Sequence, residues 1–144
     1  MDFLFDPHPL LYMIAGPGGS GKGRLLKELA DLHAQVIDLE NIACHNGSAF
    51  GNPSNHFQPS RNAFHASLIG MWKNTDLSSP VFMEMEGSFI GSLDLPESLY
   101  SQMLAAPVIS LKTNFAIRIS NIIEDYGSVP VSTHIESLER LKPR

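Results

Sequence analysis

The residues with the clearest chemical potential form one run, Gly16-Pro17-Gly18-Gly19-Ser20-Gly21-Lys22-Gly23. Glycines let successive backbone N–H groups turn inward into an anion-holding nest. A helix beginning there adds partial positive charge, and Lys22 supplies a mobile ammonium for outer phosphates. The run reads as G-x-x-x-x-G-K, the phosphate-binding loop, with Gly23 where a Ser or Thr should follow the lysine. Phosphate binding is therefore expected of Gly16, Gly18, Gly19, Ser20, Gly21, Lys22 and Gly23. The missing hydroxyl normally holds Mg²⁺, so Gly23 argues against metal-assisted phosphoryl transfer. A plain flexible glycine turn is the simpler alternative, but it does not account for what flanks the run.

Three acids and one histidine are the candidates for catalysis. Asp38 and Glu40 close a second apolar segment, and Glu84 closes a third. In a parallel sheet the carboxyl ends of the strands line the ligand crevice, so these acids would share a rim with the glycine loop. Glu84 is placed as the metal- or water-positioning acid of a nucleotide site, against the simpler reading of a solvated strand end. His45 follows the first two acids and has the chemistry to bind a phosphate or shuttle a proton, or merely to hold its own loop. The other histidines, His8, His33, His56, His65 and His134, show no metal-ligand spacing, and no zinc site is expected.

Positioning these groups requires alternating strands and helices. An apolar strand over 10–15 precedes the loop, and a helix over about 22–33 follows with leucines at helical spacing. Further strands are expected over 35–40, 80–86 and 107–111, with a short extended piece at Phe89-Ile90-Gly91. Residues 41–59, rich in Asn, Gly, Ser, His and Pro, read as a long surface loop. Ser60 caps a helix whose Phe64, Leu68 and Met71 or Trp72 form an apolar stripe read as core. Pro96 opens a helix to about Leu104, and Thr113 or Asn114 caps another that points Phe115, Ile119, Ile122 and Ile123 inward. The fold class is α/β: a P-loop NTPase-like three-layer sandwich with a mainly parallel sheet of four or five strands. It forms a single domain over 1–144, with a lead-in at 1–9 and a tail at 127–144 holding a short helix near 135–141.

Composition bounds the class. Hydrophobic residues make up 43% and charged residues 17% of 144 positions, as in a soluble globular domain. No apolar run approaches the ~18 residues of a membrane helix, the acidic N-terminus is no signal peptide, and a lone cysteine, Cys44, forms no internal disulfide. A cytoplasmic protein is expected. The formal charge of −5, with no Lys or Arg between Lys73 and Lys112, lacks the broad basic footprint of a nucleic-acid binder.

Several stretches, in order, resemble bacterial tRNA 2-selenouridine synthases. Asp38 to Gly51 resembles D-L-E-x-x-A-x-H-R-G-S-x-F-G, and Gln58-Pro59-Ser60 with Phe64 resembles Q-P-S-Q-x-x-F-E. Glu84 to Gly91, with Leu95-Pro96 and Leu99 to Met103, resembles V-E-x-E-S-R-x-I-G followed by P-x-x-L-x-x-x-M. Ala106-Pro107 to Arg118 and Asp125-Tyr126 resemble a later strand and an arginine-bearing helix. The resemblance covers about Leu10 to Tyr126 and implies the P-loop part of an enzyme that replaces sulfur by selenium in wobble 2-thiouridine. That family uses selenophosphate and passes through a geranylated thiouridine made with geranyl diphosphate. The implied ligands are a phosphate-bearing small molecule, geranyl diphosphate or ATP/GTP, with Mg²⁺ disfavoured by Gly23. The implied partners are tRNA and a separate rhodanese protein, because the loop begins at residue 16 and leaves no room for the family's rhodanese half.

The departures run in one direction. Gly23 replaces Thr, Asn46 replaces the arginine of H-R-G-S, Gly87-Ser88 replaces Ser-Arg, and Arg61 and His65 stand in the Q-x-x-F-E stretch. Two guanidiniums suited to bidentate phosphate binding are thereby absent. Arg24 and Arg118 join Lys22 as the cations left for the phosphate, and weakened anion binding is expected. Cys44 reads as an ordinary loop thiol. A small P-loop kinase or ATPase, with Asp38, Glu40 or Glu84 positioning acceptor and metal, is the second reading, and a degenerate P-loop scaffold that binds only a partner protein is the third.

Overall fold

The structure, a computed structural model, describes residues 5, 9–45 and 57–140. Asn46, His8, His56 and most of the expected long loop and lead-in lie outside the described residues. Strand β1 (Leu11–Ala15) is central, apolar on both faces as a covered parallel strand must be. It pairs on one side with β3 (Val81–Glu84), in the register Leu11↔Val81 to Ile14↔Glu84. On the other side it meets β6 (Val108–Ser110) through Met13↔Val108 to Ala15↔Ser110. Strand β2 (Gln35–Ile37) completes a four-stranded parallel sheet in the order β2-β3-β1-β6. Parallel pairing brings the carboxyl ends of all its strands to one rim, the rim that carries the site.

Helix α1 (Lys22–Asp31) buries Leu26. Helix α3 (Arg61–Lys73) begins where the Ser60 side chain accepts from the Ala63 amide at 3.2 Å, and it buries Phe64, Leu68 and Trp72 as one stripe. Of the two expected ends of that stripe, Trp72 is the buried one and Met71 turns outward. Helix α4 (Glu97–Ala105), with Pro96 just outside its first residue, buries Leu99 and Met103. The piece at 89–95 is a hairpin of β4 (Phe89–Ile90) and β5 (Leu93–Asp94), antiparallel, which drops Ile90 and Leu93 into the core. Phe5 packs edge-on against Trp72, ring centroids 5.4 Å apart, and accepts the indole N–H on its carbonyl at 3.1 Å.

Two expectations are corrected. The second strand stops at Ile37, because Asp38 caps the short helix α2 (Leu39–Ile42) by accepting from the Asn41 amide at 2.9 Å. The local cap outcompetes a further strand residue. Helix α5 (Phe115–Tyr126) starts at the expected Asn114 cap but buries none of its residues. Phe115, Ile119, Ile122 and Ile123 are exposed by 40% or more rather than buried, and all three residues of β6 are exposed. The short helix expected near 135–141 is observed as α6 (Val131–Arg140), which begins four residues earlier.

Candidate phosphate-loop site

The glycine run turns from β1 into α1 through left-handed backbone at Gly19 (φ 72°) and Gly21 (φ 93°), a region that L side chains rarely adopt. A Cβ at Gly19 would also press into the Arg118 carbonyl of α5. Gly21 is the N-cap of α1, and no side chain caps it. The first amides of the helix thus keep the unmet donor capacity that suits an anion.

Lys22 folds back across the loop. Its Nζ donates to the Gly16 carbonyl at 3.1 Å and forms an ion pair with Glu84 Oε1 at 3.2 Å, with side-chain exposures of only 17% and 7%. A cavity of about 340 Å³ opens here, lined by residues 19–24 of the loop and α1, by Lys27, by Glu40 and Glu84, and by Asn121 and Asp125 of α5. The Ser20 hydroxyl is buried with no protein hydrogen-bond partner, while the Ser20 carbonyl accepts from the Thr113 hydroxyl at 2.8 Å.

Three carboxylates converge beside this cavity. One oxygen each from Glu40, Glu84 and Glu86 lies within 4.8 Å of the others. Burial and then mutual repulsion push the Glu40 carboxyl up to about 8 and that of Glu86 up to about 7. Burial also raises Glu84, opposed by the neighbouring Lys22 ammonium. Hard oxygen donors in this number suit Mg²⁺ or Ca²⁺, but protons held by Glu40 and Glu86 near neutral pH compete with any cation, and Gly23 adds no hydroxyl ligand.

The sequence candidates are thus partly assembled. Glu40, Glu84 and Lys22 meet. Asp38 is occupied as a helix cap and does not line the cavity. His45, whose amide donates to the Glu40 carbonyl at 3.0 Å and whose imidazole pKa burial lowers, does not line it either. Arg24 forks onto α5, donating to Asn121 Oδ1 at 3.0 Å, Glu124 at 2.9 Å and Asp125 at 3.3 Å. Arg118 Nε donates to the Gly18 carbonyl at 2.9 Å, and Asn121 Nδ2 donates to that of Gly19 at 2.8 Å. Sequence reasoning left out Glu86, Thr113 and Asn121. A signal for Asn121 existed: Arg118, Asn121 and Asp125 recur at i, i+3 and i+7, a polar stripe on the helix read only for its isoleucines.

A four-stranded parallel sheet with a glycine loop between its central strand and a helix defines a P-loop α/β domain. Residues 9–141 match the family model described as the tRNA 2-selenouridine synthase AAA domain, and the chain belongs to that family. It is 38% identical over 126 residues to a tRNA 2-selenouridine synthase of Nitrosomonas europaea, a match covering 85% of this chain and 32% of that protein. The Cupriavidus pinatubonensis enzyme of the same name is 34% identical over 88% of this chain, and that of Shewanella pealeana 32% over 96%. The chain spans about a third of the length of these relatives. Among the described residues no helix is long and apolar enough to cross a membrane.

Proposed function

We propose that this chain binds the diphosphate or terminal phosphates of a small molecule in the 16–23 loop and serves a tRNA-modifying reaction of the 2-selenouridine synthase type. The observation that carries the reading is the loop itself: left-handed glycines, an uncapped helix start and Lys22, in a chain of that family. On arrival of the anion, Lys22 would leave Glu84 and the Gly16 carbonyl for phosphate oxygens. If the ligand is a prenyl diphosphate, thiouridine sulfur displaces the diphosphate at carbon while loop amides and Lys22 stabilise the departing charge. The tRNA and a rhodanese protein supplied separately complete the proposed reaction.

A second reading, a small kinase or ATPase, is favoured by one observation, the Glu40, Glu84 and Glu86 cluster able to hold a cation. Isothermal titration with geranyl diphosphate, Mg²⁺·ATP and tRNA, repeated with Lys22→Ala, separates the two. The first reading expects diphosphate binding that Lys22→Ala weakens at least ~100-fold, the scale of losing a charge-assisted contact in a partly buried site. ATP hydrolysis that depends on Lys22 would move the assignment to the second. Binding of none of these ligands overturns both.

A further inference from the structure

Helix α5 sits against the phosphate loop with its polar edge, and what that edge touches is specific. Three successive loop carbonyls each accept a hydrogen bond from a side chain of residues 113–121: Gly18 from Arg118 Nε at 2.9 Å, Gly19 from Asn121 Nδ2 at 2.8 Å, and Ser20 from Thr113 Oγ1 at 2.8 Å. In a planar trans peptide, the C=O of one residue and the N–H of the next point in opposite directions. Fixing the carbonyls of Gly18 and Ser20 outward onto this segment therefore turns the amides of Gly19 and Gly21 away from it. The Gly19 carbonyl does the same for the Ser20 amide, which closes the turn by donating to Pro17 at 3.0 Å.

We infer that Asn121 is a positioning residue for the phosphate loop: with Arg118 and Thr113 it grips the loop from outside by its carbonyls, so the amide nest is built before a phosphate arrives. Asn121 suits the task because both ends of its amide are used, Nδ2 on the Gly19 carbonyl and Oδ1 accepting from Arg24 Nη1 at 3.0 Å. The two contacts together fix the orientation of the amide. Arg24, forked onto Asn121, Glu124 and Asp125, then acts as the tie between α1 and α5 rather than as a phosphate ligand. A preorganised nest avoids ordering cost at binding, the condition under which backbone donors contribute most. Asn121 carries no charge, so its effect on an anion is separable from simple attraction.

The consequence for ligand affinity rests on the phosphate-binding reading above; the consequence for the loop itself does not, and the test uses both. Asn121→Leu removes donor and acceptor without adding charge, and Arg24→Met removes only the tie. By titration with inorganic pyrophosphate, Asn121→Leu is expected to bind about tenfold more weakly than wild type, the scale of one structural hydrogen bond, with its unfolding midpoint within a few degrees. Arg24→Met is expected to lose about twofold. Amide exchange followed by NMR, without ligand, is expected to rise at least tenfold at Ser20, whose buried N–H donates to the Pro17 carbonyl, in Asn121→Leu while the middle of α1 stays protected. Unchanged loop exchange in Asn121→Leu overturns the inference, whatever pyrophosphate does. A larger affinity loss in Arg24→Met than in Asn121→Leu overturns it too, by making Arg24 a direct ligand. Failure of wild type to bind pyrophosphate, with loop exchange raised as expected, removes the phosphate reading and leaves Asn121 the organiser of the loop.

Discussion

The flank of the sheet built from β2, β3 and β1 and the flank built from β6 are finished to different degrees. On the first, Met13, Val81 and Met83 are fully covered, and Phe64, Leu99 and Met103 close over them. On the second, Val108 and Ile109 of the edge strand keep 50% and 41% of their surface exposed. Beyond them Phe115, Ile117 and Ile123 of α5 are exposed still further. The same kinds of residue at the same periodicities produce a core in one place and a surface in the other. Periodicity locates an apolar face; it does not supply the element that covers it. On α5 the relation is inverted in part, since the polar Arg118 and Asn121, held by the loop, are half-buried, while Phe115, Ile117 and Ile123 are more than half exposed.

The sharpest way to break this contrast is to truncate one residue on each flank. Phe64→Ala, at a fully buried site, is expected to cost about 3–5 kcal/mol of unfolding free energy in urea denaturation. A loss below ~1.5 kcal/mol would mean that the finished flank is looser than its burial implies.

The acid cluster next to the loop sharpens the comparison through pH. Glu40 holds its proton up to about pH 8 when folded, whereas an unfolded glutamate releases it near 4.5. The folded state therefore binds more protons across that window, and stability must fall as pH rises from about 4.5 to 8. Glu40→Gln is expected to unfold a few degrees higher than wild type at pH 8 and level with it at pH 4, as read by calorimetry. Equal midpoints at both pH values would remove the burial and crowding inferred for this carboxyl.

The smallest effect belongs to the open flank. Ile123→Ser should change stability by no more than about 0.5 kcal/mol, because the side chain is 64% exposed. A cost several times larger, measured at two protein concentrations, would show that something covers this face in solution.

Much of this was legible in the residues. Strand, loop and helix around Lys22 follow from the glycine run and the apolar segment before it, and Ser60 and Asn114 cap their helices as their types predict. Val36, Ile37 and Leu39 make the segment around Asp38 look extended. The competing signal was the three-residue step from Asp38 to Asn41, which is the geometry of a cap. The grip of Arg118 and Asn121 on Gly18 and Gly19 spans about a hundred residues of chain, and no local pattern encodes which loop a polar stripe will meet. Glu84 is marked by its place at the end of β3. Glu86 is not marked by its own segment, because its importance comes from a carboxylate oxygen lying within 4.8 Å of those of Glu40 and Glu84, a property of the fold.

The junction of Phe5 with α3 has an optical consequence. Trp72 is the only tryptophan in the chain, it is 4% exposed, and its ring abuts Phe5 while its N–H is held by the Phe5 carbonyl. The protein thus contains a single indole, the fluorophore that can be excited apart from its three tyrosines, seated where Phe5 packs against the finished core. Its emission is a native gauge of whether that packing has formed, and because the indole does not line the loop cavity, the gauge reads folding separately from occupancy of the site.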